Sequence, residues 1–519
     1  MGVPKEIREV PRPANTVVVD NGKEGPRRYA VRERLGVKYV PGGNPQPLNG
    51  SVIGYICDGK YVAKEDDAQA GPDMLSYGSS ALVWQESRDI MDDLLDVYPI
   101  EYAYEIMAIA SLKVIRPRIA SNRYSTHYNR TFISRYYPGL PMSKNKITSF
   151  YQHLGEKGNL RKKFYRRRVE KVASDHHVAI DGMLKQDNSI VNDLSNFSYK
   201  SRVKGTKDVS VVYAFDIESE EIVCAEVFPG NCTDASAYAD FIRDNGITKG
   251  IIVADKGFPP SKIKEQLDER PELHFLTPIK RNDVRISNNG MLDFEGLLKD
   301  TDSNVMFKKK RIQGGRYLYA YRDALKASLE EKSYLDKKST RRDFDMEKYS
   351  KKDRNFGVIV FESDLDMDPE TAYKCYDDRW MLELVFNYYK NDEGLDFTNV
   401  QNDFFVYGAE FVNSIATMIT YRLTKRFRDT GLLRTMSYGD IMEDLTSAWR
   451  YVDAPALPSR GDGRWVHTLL SAHECMEALG ISQAPPKAEP KKRGRPKKIV
   501  TEEKPKRPRG RPRKNPVSE

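Results

Sequence analysis

The chain has no run of about 18 consecutive apolar residues, so no segment is suited to cross a bilayer as a helix. Its first residues, MGVPKEIREVPRP, lack the apolar stretch of a secretory signal, and an intracellular protein is expected. Cysteine is scarce: five in 519 residues, at Cys57, Cys224, Cys232, Cys375 and Cys475, with no CxxC pair. So few and so scattered, they argue against a disulfide framework and against a structural zinc site. The seven histidines are also dispersed, and the adjacent His176 and His177 read as strand-edge packing rather than a metal site.

Excess positive charge is missing from most of the chain, although the total is +9. Residues 486–519 hold 14 Lys or Arg against 4 Asp or Glu, which leaves 70 basic and 71 acidic residues in everything before them. Eight prolines from Pro485 onward forbid a packed core in that last stretch. A disordered basic tail is expected, with polyanions as its natural partners.

What is present divides the chain into five parts. Residues 1–80 are rich in Gly, Pro and charge, with short apolar runs such as SVIGYIC, and read as irregular though β-containing. Residues 83–170 carry helical patterns and end in RKKFYRRRVEK, a basic and aromatic mixture suited to phosphate contacts or to a solvated helix face. A DNA-binding region is expected there. From His177 the period becomes that of strands: HVAIDGM, VSVVYAFDI and EIVCAEVFPG, then a helix DASAYADFIRDNG, a strand GIIVADKGF, a helix PPSKIKEQLDE and a strand ELHFLTPIK. This order predicts an α/β fold, a mixed sheet flanked by helices. A β-rich insertion over about 283–368 contains a hairpin at Gly314 and Gly315 and the strand NFGVIVFES. The α/β part is placed at 171–430, a C-terminal helical region at 431–484 and the tail at 485–519.

Two of these strands end in acid after an apolar run, Asp181 in VAIDG and Asp255 in IIVADKG. Groups at the carboxyl ends of such strands project into a shared crevice. Asp216, closing VVYAFD, competes with Asp181 for the first position. The stretch YDDRWMLELVFNYYK supplies a third acid. On one continuous helix, Tyr376, Arg379, Glu383, Asn387 and Lys390 fall in a stripe about 80° wide. The rest of the circumference is apolar, so a buried helix is expected, with its charges paired or facing a site. Three carboxylates without Cys or His form an all-oxygen site suited to Mg²⁺ or Mn²⁺. Two such ions can activate a water or a 3′-hydroxyl against a phosphodiester.

The order Asp, Asp, then Glu within Y-x2-R-x3-E-x6-K resembles the DDE transposases of bacterial and archaeal insertion sequences. Tyr376, Arg379, Glu383 and Lys390 fit that signature at every spacing, and IDG, PGNCTDASAY and ADKGF resemble the family's catalytic neighbourhoods. The resemblance covers about 170–430 and implies an RNase H-like domain. It implies that Asp181, Asp255 and Glu383 hold two Mg²⁺ ions while Tyr376, Arg379 and Lys390 hold DNA phosphate. It further implies cleavage at transposon ends, attack of the freed 3′-hydroxyl on target DNA, a homodimer in the synaptic complex, and a cytoplasmic, nucleoid-associated protein of a prokaryotic host. Trp380 and the insertion would, by analogy, steady a flipped base or hairpin. The tail contains RGRP twice, and this resembles the AT-hook: Arg493, Arg495, Arg509 and Arg511 would enter the minor groove of A·T-rich DNA. The alternative is a domesticated, non-catalytic protein that binds A·T-rich DNA. A nuclease of the same fold acting on RNA or unspecific DNA would leave the paired hooks unexplained.

Overall fold

The computed structural model describes residues 3–481 except 23–24, 26–27, 39–43, 64–73, 188, 190, 199–200, 202–203, 233, 255–269, 300, 302–303, 340–343, 388–396, 399–401 and 453–468. Residues 1–80, expected to be irregular, hold an antiparallel sheet of β1 (Thr16–Asp20), β2 (Tyr29–Lys38), β3 (Gln46–Cys57) and β4 (Lys60–Ala63). Val10, Val18, Val31 and Ile56 form a small core of its own. A short strand β5 (Met74–Ser76) then leads into helices α1 (Gly78–Glu86), α2 (Arg88–Leu95), α3 (Ile100–Ile115), α4 (Lys144–Glu156) and α5 (Gly158–Glu170).

The centre of the molecule is a sheet whose first five strands are β6 (His177–Asp187), β8 (Lys207–Asp216), β9 (Glu221–Pro229), β10 (Lys249–Ala254) and β11 (Glu272–Pro278), with β7 (Asn196–Phe197) beside β8. Their spatial order is β9-β8-β6-β10-β11. β8 runs antiparallel to both neighbours, while β6, β10 and β11 are parallel. The β-branched runs explain this. Val178–Ile180, Val211–Phe215 and Ile251–Ala254 are buried, as strands covered on both faces must be. Helix α6 (Asp234–Asp244) follows β9 and ends before Gly246, whose φ of 69° suits a residue without Cβ.

The insertion does not stand apart. β12 (Gly296–Leu297), β13 (Val305–Arg311), β14 (Tyr317–Asp323) and β15 (Val358–Ser363) continue the same sheet, joined through the antiparallel β11–β15 pair. With β16 (Phe397–Thr398) paired to β6, the sheet reaches 11 strands. The hairpin falls at Gly314 and Gly315, both with positive φ. Helix α7 (Ala324–Ser339) follows β14 within the insertion. Mixed sheet plus flanking helices is the α/β fold expected, and the strand order is that of an RNase H-like domain. No described helix is long and apolar enough to cross a membrane.

Helices α8 (Pro369–Asp378), α9 (Trp380–Asn387) and α10 (Asp403–Asp429) close the pattern. α10 runs through the core, packed on α4 so closely that their backbones touch. A Cβ on Gly408 would meet the Tyr151 carbonyl oxygen at 1.9 Å, and one on Gly155 the Phe404 carbonyl oxygen at 1.6 Å.

The helical region's basic run makes contacts within the chain. The basic run of α5 turns Phe164 and Tyr165 into the core against Phe411, and most of its cations go to internal partners. Arg161 donates to the Leu154 carbonyl at 3.0 Å. Lys162 reaches Asp244 at 2.8 Å, Arg168 reaches Asp93 at 3.1 Å, and Arg167 pairs with Asp96. This helix brackets α2, α6 and the sheet together.

Glu105 on α3 gives a pH-dependent prediction. Burial pushes its carboxyl up from 4.5 to about 7, with Lys146 only partly offsetting. A raised folded value means stability present below 4.5 and lost as pH rises through about 7. Glu105→Gln should therefore raise stability at pH 8 by on the order of 1 kcal/mol after solvent screening, seen as a higher melting temperature, and should change nothing at pH 4. An equal gain at both pH values in thermal melts would contradict this.

Candidate active site

Asp181 lies in the middle of β6, not near its end as the alternation suggested. β6 continues to Asp187 because β8 pairs with it all the way to Lys207. The parallel neighbour β10 is described as far as Ala254, which pairs with Ile180. Asp255 is next in sequence and, with Lys390 and the tail residues Arg493, Arg495, Arg509 and Arg511, lies outside the described residues.

Asp181 is held from three directions. Its Oδ1 accepts from the Gly182 amide at 2.8 Å and from the Tyr238 hydroxyl at 3.3 Å, while its Oδ2 takes Nη1 of Arg379 at 2.8 Å. Tyr238 was not singled out from the sequence, although it is the last residue of PGNCTDASAY; α6 carries it beneath the strand. Asp216 is elsewhere. It sits at the far end of β8, opposite Val178, and its carboxylate is engaged by His176 at 2.8 Å and by the Ser219 hydroxyl at 2.7 Å. That geometry favours Asp181 over Asp216 as the acid facing the late helix.

The stretch YDDRWMLELVFNYYK is not one helix buried nearly all round. α8 ends at Asp378 and α9 begins at Trp380, with Arg379 at the joint. Here the amides of Arg379 and Leu382 bond to carbonyls three residues back, Tyr376 and Arg379. This tight turn offsets the two helices. Asp368 caps α8 by accepting from the Glu370 and Thr371 amides, and Pro369 fits the first turn. Insertion residues hold that start, for the Tyr321 hydroxyl donates to the Pro369 carbonyl at 2.8 Å. Leu382, Val385 and Phe386 are buried, and the Phe386 ring lies 5.9 Å from Tyr213 of β8. The opposite side is open: Glu383 has a side chain 62% exposed, and Trp380 is 47% exposed.

Arg379 therefore stands between two acids. Its guanidinium pairs with Asp181 at 2.8 Å and lies 3.7 Å from Glu383, and it sits 5.4 Å over the Tyr376 ring. The Tyr376 ring in turn packs 4.4 Å from Phe361 of β15. Of the residues expected at the site, the fold brings together Asp181, Glu383, Arg379 and Tyr376. One cation shared by two carboxylates with open access to solvent marks a place where positive charge belongs, and the donors are all oxygen. That donor set fits Mg²⁺ or Mn²⁺.

The sheet thus carries an acid on its first strand that faces another acid on a late helix across one guanidinium. Residues 177–402 match the family model of the transposase DDE domain. This stretch contains Asp181, Asp255, Tyr376, Arg379, Glu383 and Lys390. No curated protein matches the chain. Among solved structures, the chain is similar to a piggyBac transposase in a synaptic complex with hairpin DNA, determined by cryo-electron microscopy. The identity is 10% and the TM-score 0.36, over 73% of this chain and 80% of that one. A likeness of that degree adds nothing to the domain match.

Proposed function

We propose that the protein is a DNA transposase that cleaves phosphodiester bonds at the ends of a mobile element and joins the freed 3′-hydroxyl to target DNA. The observation that carries this reading is Arg379 shared by Asp181 and Glu383 inside the residues that match the transposase DDE domain. In this reading Asp181, Asp255 and Glu383 hold two Mg²⁺ or Mn²⁺ ions. When bound, these supply activation of water or of a 3′-hydroxyl and stabilise the leaving oxygen.

The chain's own residues do the rest. The Gly182 amide and the Tyr238 hydroxyl fix the Asp181 carboxylate. Arg379 neutralises Asp181 and Glu383 until substrate enters, then turns to a DNA phosphate, for which a planar guanidinium is well shaped. Tyr376 and Lys390 share that grip. Trp380, exposed next to Arg379, offers a face on which an unpaired base stacks. The partners are the element's terminal inverted repeats, target DNA and a second copy of the chain, and the RGRP repeats take A·T-rich minor groove.

The test is incubation of purified protein with DNA bearing the inverted repeats that flank its gene, with Mg²⁺ or with chelator. Cleavage and joining that need Mg²⁺ support the reading. Tight binding without cleavage would instead fit a domesticated DNA-binding protein. Deleting residues 486–519 should weaken binding to A·T-rich duplexes and flatten the dependence of affinity on salt, each lost phosphate contact lowering the slope by about 0.9. Equal affinity and slope after deletion would count against the hooks.

A further inference from the structure

At the opposite end of β6 from Asp187 lies a second group of chemistry-bearing side chains that the acidic site does not use. One ligand atom each from His177, Glu218 and Cys375 lie within 4.8 Å of one another, and His176, Asp216 and Glu218 form a second such group sharing Glu218. His177 starts β6, Glu218 lies in the turn between β8 and β9, and Cys375 is on α8. His177 and Cys375 are buried while Glu218 opens to solvent. Both oxygens of Glu218 bind His177, one to the backbone amide at 2.7 Å and one to Nδ1 at 2.5 Å. The other ring nitrogen, Nε2, is buried with no hydrogen-bond partner among the described residues. A carboxylate on one imidazole nitrogen and an unused lone pair on the other is the arrangement that presents histidine to a metal ion.

We propose that His177 and Cys375, with Glu218 orienting the imidazole, bind one transition-metal ion, zinc before others, and so tie α8 to the start of β6. Imidazole plus thiolate selects zinc over magnesium. Ligand atoms around tetrahedral zinc stand about 3.3–3.8 Å apart for bonds of about 2.0–2.3 Å, so a cluster already within 4.8 Å closes by small side-chain movements. Water takes the two remaining positions. On binding, the Cys375 thiol gives up its proton to solvent and sulfur donates to the metal. Burial holds that thiol up at about 12 without metal, and a bound cation reverses this by stabilising the thiolate.

Metal binding here stands independently of the transposase reading; only its consequence rests on that reading. Asp378 ends α8 and Arg379 follows, so a tie at Cys375 fixes the approach of Arg379 and Glu383 to Asp181.

The test uses the full chain, incubated with zinc, dialysed and analysed for metal, and in parallel loaded with Co²⁺. The expected result is about one zinc per chain, a thiolate-to-cobalt charge-transfer band, and a lower melting temperature after chelation. Cys375→Ser should lose the band and the zinc, whereas Cys475→Ser, at a buried cysteine elsewhere, should keep both. A wild-type protein without the band or the zinc overturns the proposal, as does a band that survives Cys375→Ser. Neither readout depends on DNA cleavage, so failure of this site and failure of the transposase reading are separable.

Discussion

Asp181→Asn should reduce Mg²⁺-dependent cleavage of inverted-repeat DNA by about a thousandfold, the scale on which one preorganised charge-stabilising group is lost. The substitution is nearly isosteric. The asparagine oxygen still accepts from the Gly182 amide and the Tyr238 hydroxyl, now at 2.8 and 3.3 Å, so the strand keeps its place. What disappears is the negative charge that Arg379 neutralises and that a divalent cation needs. Arg379 keeps Glu383 at 3.7 Å, so the fold should lose little. Cleavage rates measured alongside a melt separate the two effects. A loss of less than about tenfold with an unchanged fold would remove Asp181 from the active site.

Lys185→Met should destabilise the folded chain by about 3–5 kcal/mol, the cost of stranding a buried charge. Lys185 lies four residues beyond Asp181 on β6 and meets Glu410 of α10 at 2.5 Å, each side chain only 4% exposed. Glu410 also accepts from the Asn413 amide group at 3.0 Å, but no amide replaces the ammonium charge. The pair pins the central helix to the strand that carries the first acid. The double variant Lys185→Met, Glu410→Leu should regain most of the loss, since paired removal leaves no uncompensated charge. Chemical denaturation of the three proteins decides this. If Lys185→Met costs under about 1 kcal/mol, the pair is not the tie described.

How much of this was legible in the sequence depends on the range of the interaction. Runs such as VSVVYAFD announced their strands because burial on both faces demands β-branched and aromatic residues over a short span. The order of strands was not in those runs; it entered only through the resemblance carried by the acids and their spacing. Periodicity placed Tyr376, Arg379 and Glu383 on one side correctly, but it could not show the turn at Arg379. No Gly or Pro marks it, and the residue keeps a right-handed helical conformation. Nor could periodicity tell that Asp181 would sit in mid-strand, because the length of β6 is set by β8. The partners of the basic run of α5 were illegible for the same reason. Whether Arg168 meets phosphate or carboxylate depends on Asp93 and Glu221, 75 and 53 residues away. His177, Glu218 and Cys375 are likewise far apart in sequence, so their approach within 4.8 Å was not legible in the cysteine spacing.

The central claim is that Asp181, Asp255 and Glu383 act as one metal-dependent site, and Asp255 is the member outside the described residues. The most direct test is the initial rate of Mg²⁺-dependent cleavage of inverted-repeat DNA by Asp255→Ala beside wild type, at equal DNA occupancy. Asp255→Ala should bind the DNA as wild type does and leave it uncut. Cleavage at the wild-type rate by Asp255→Ala would contradict it.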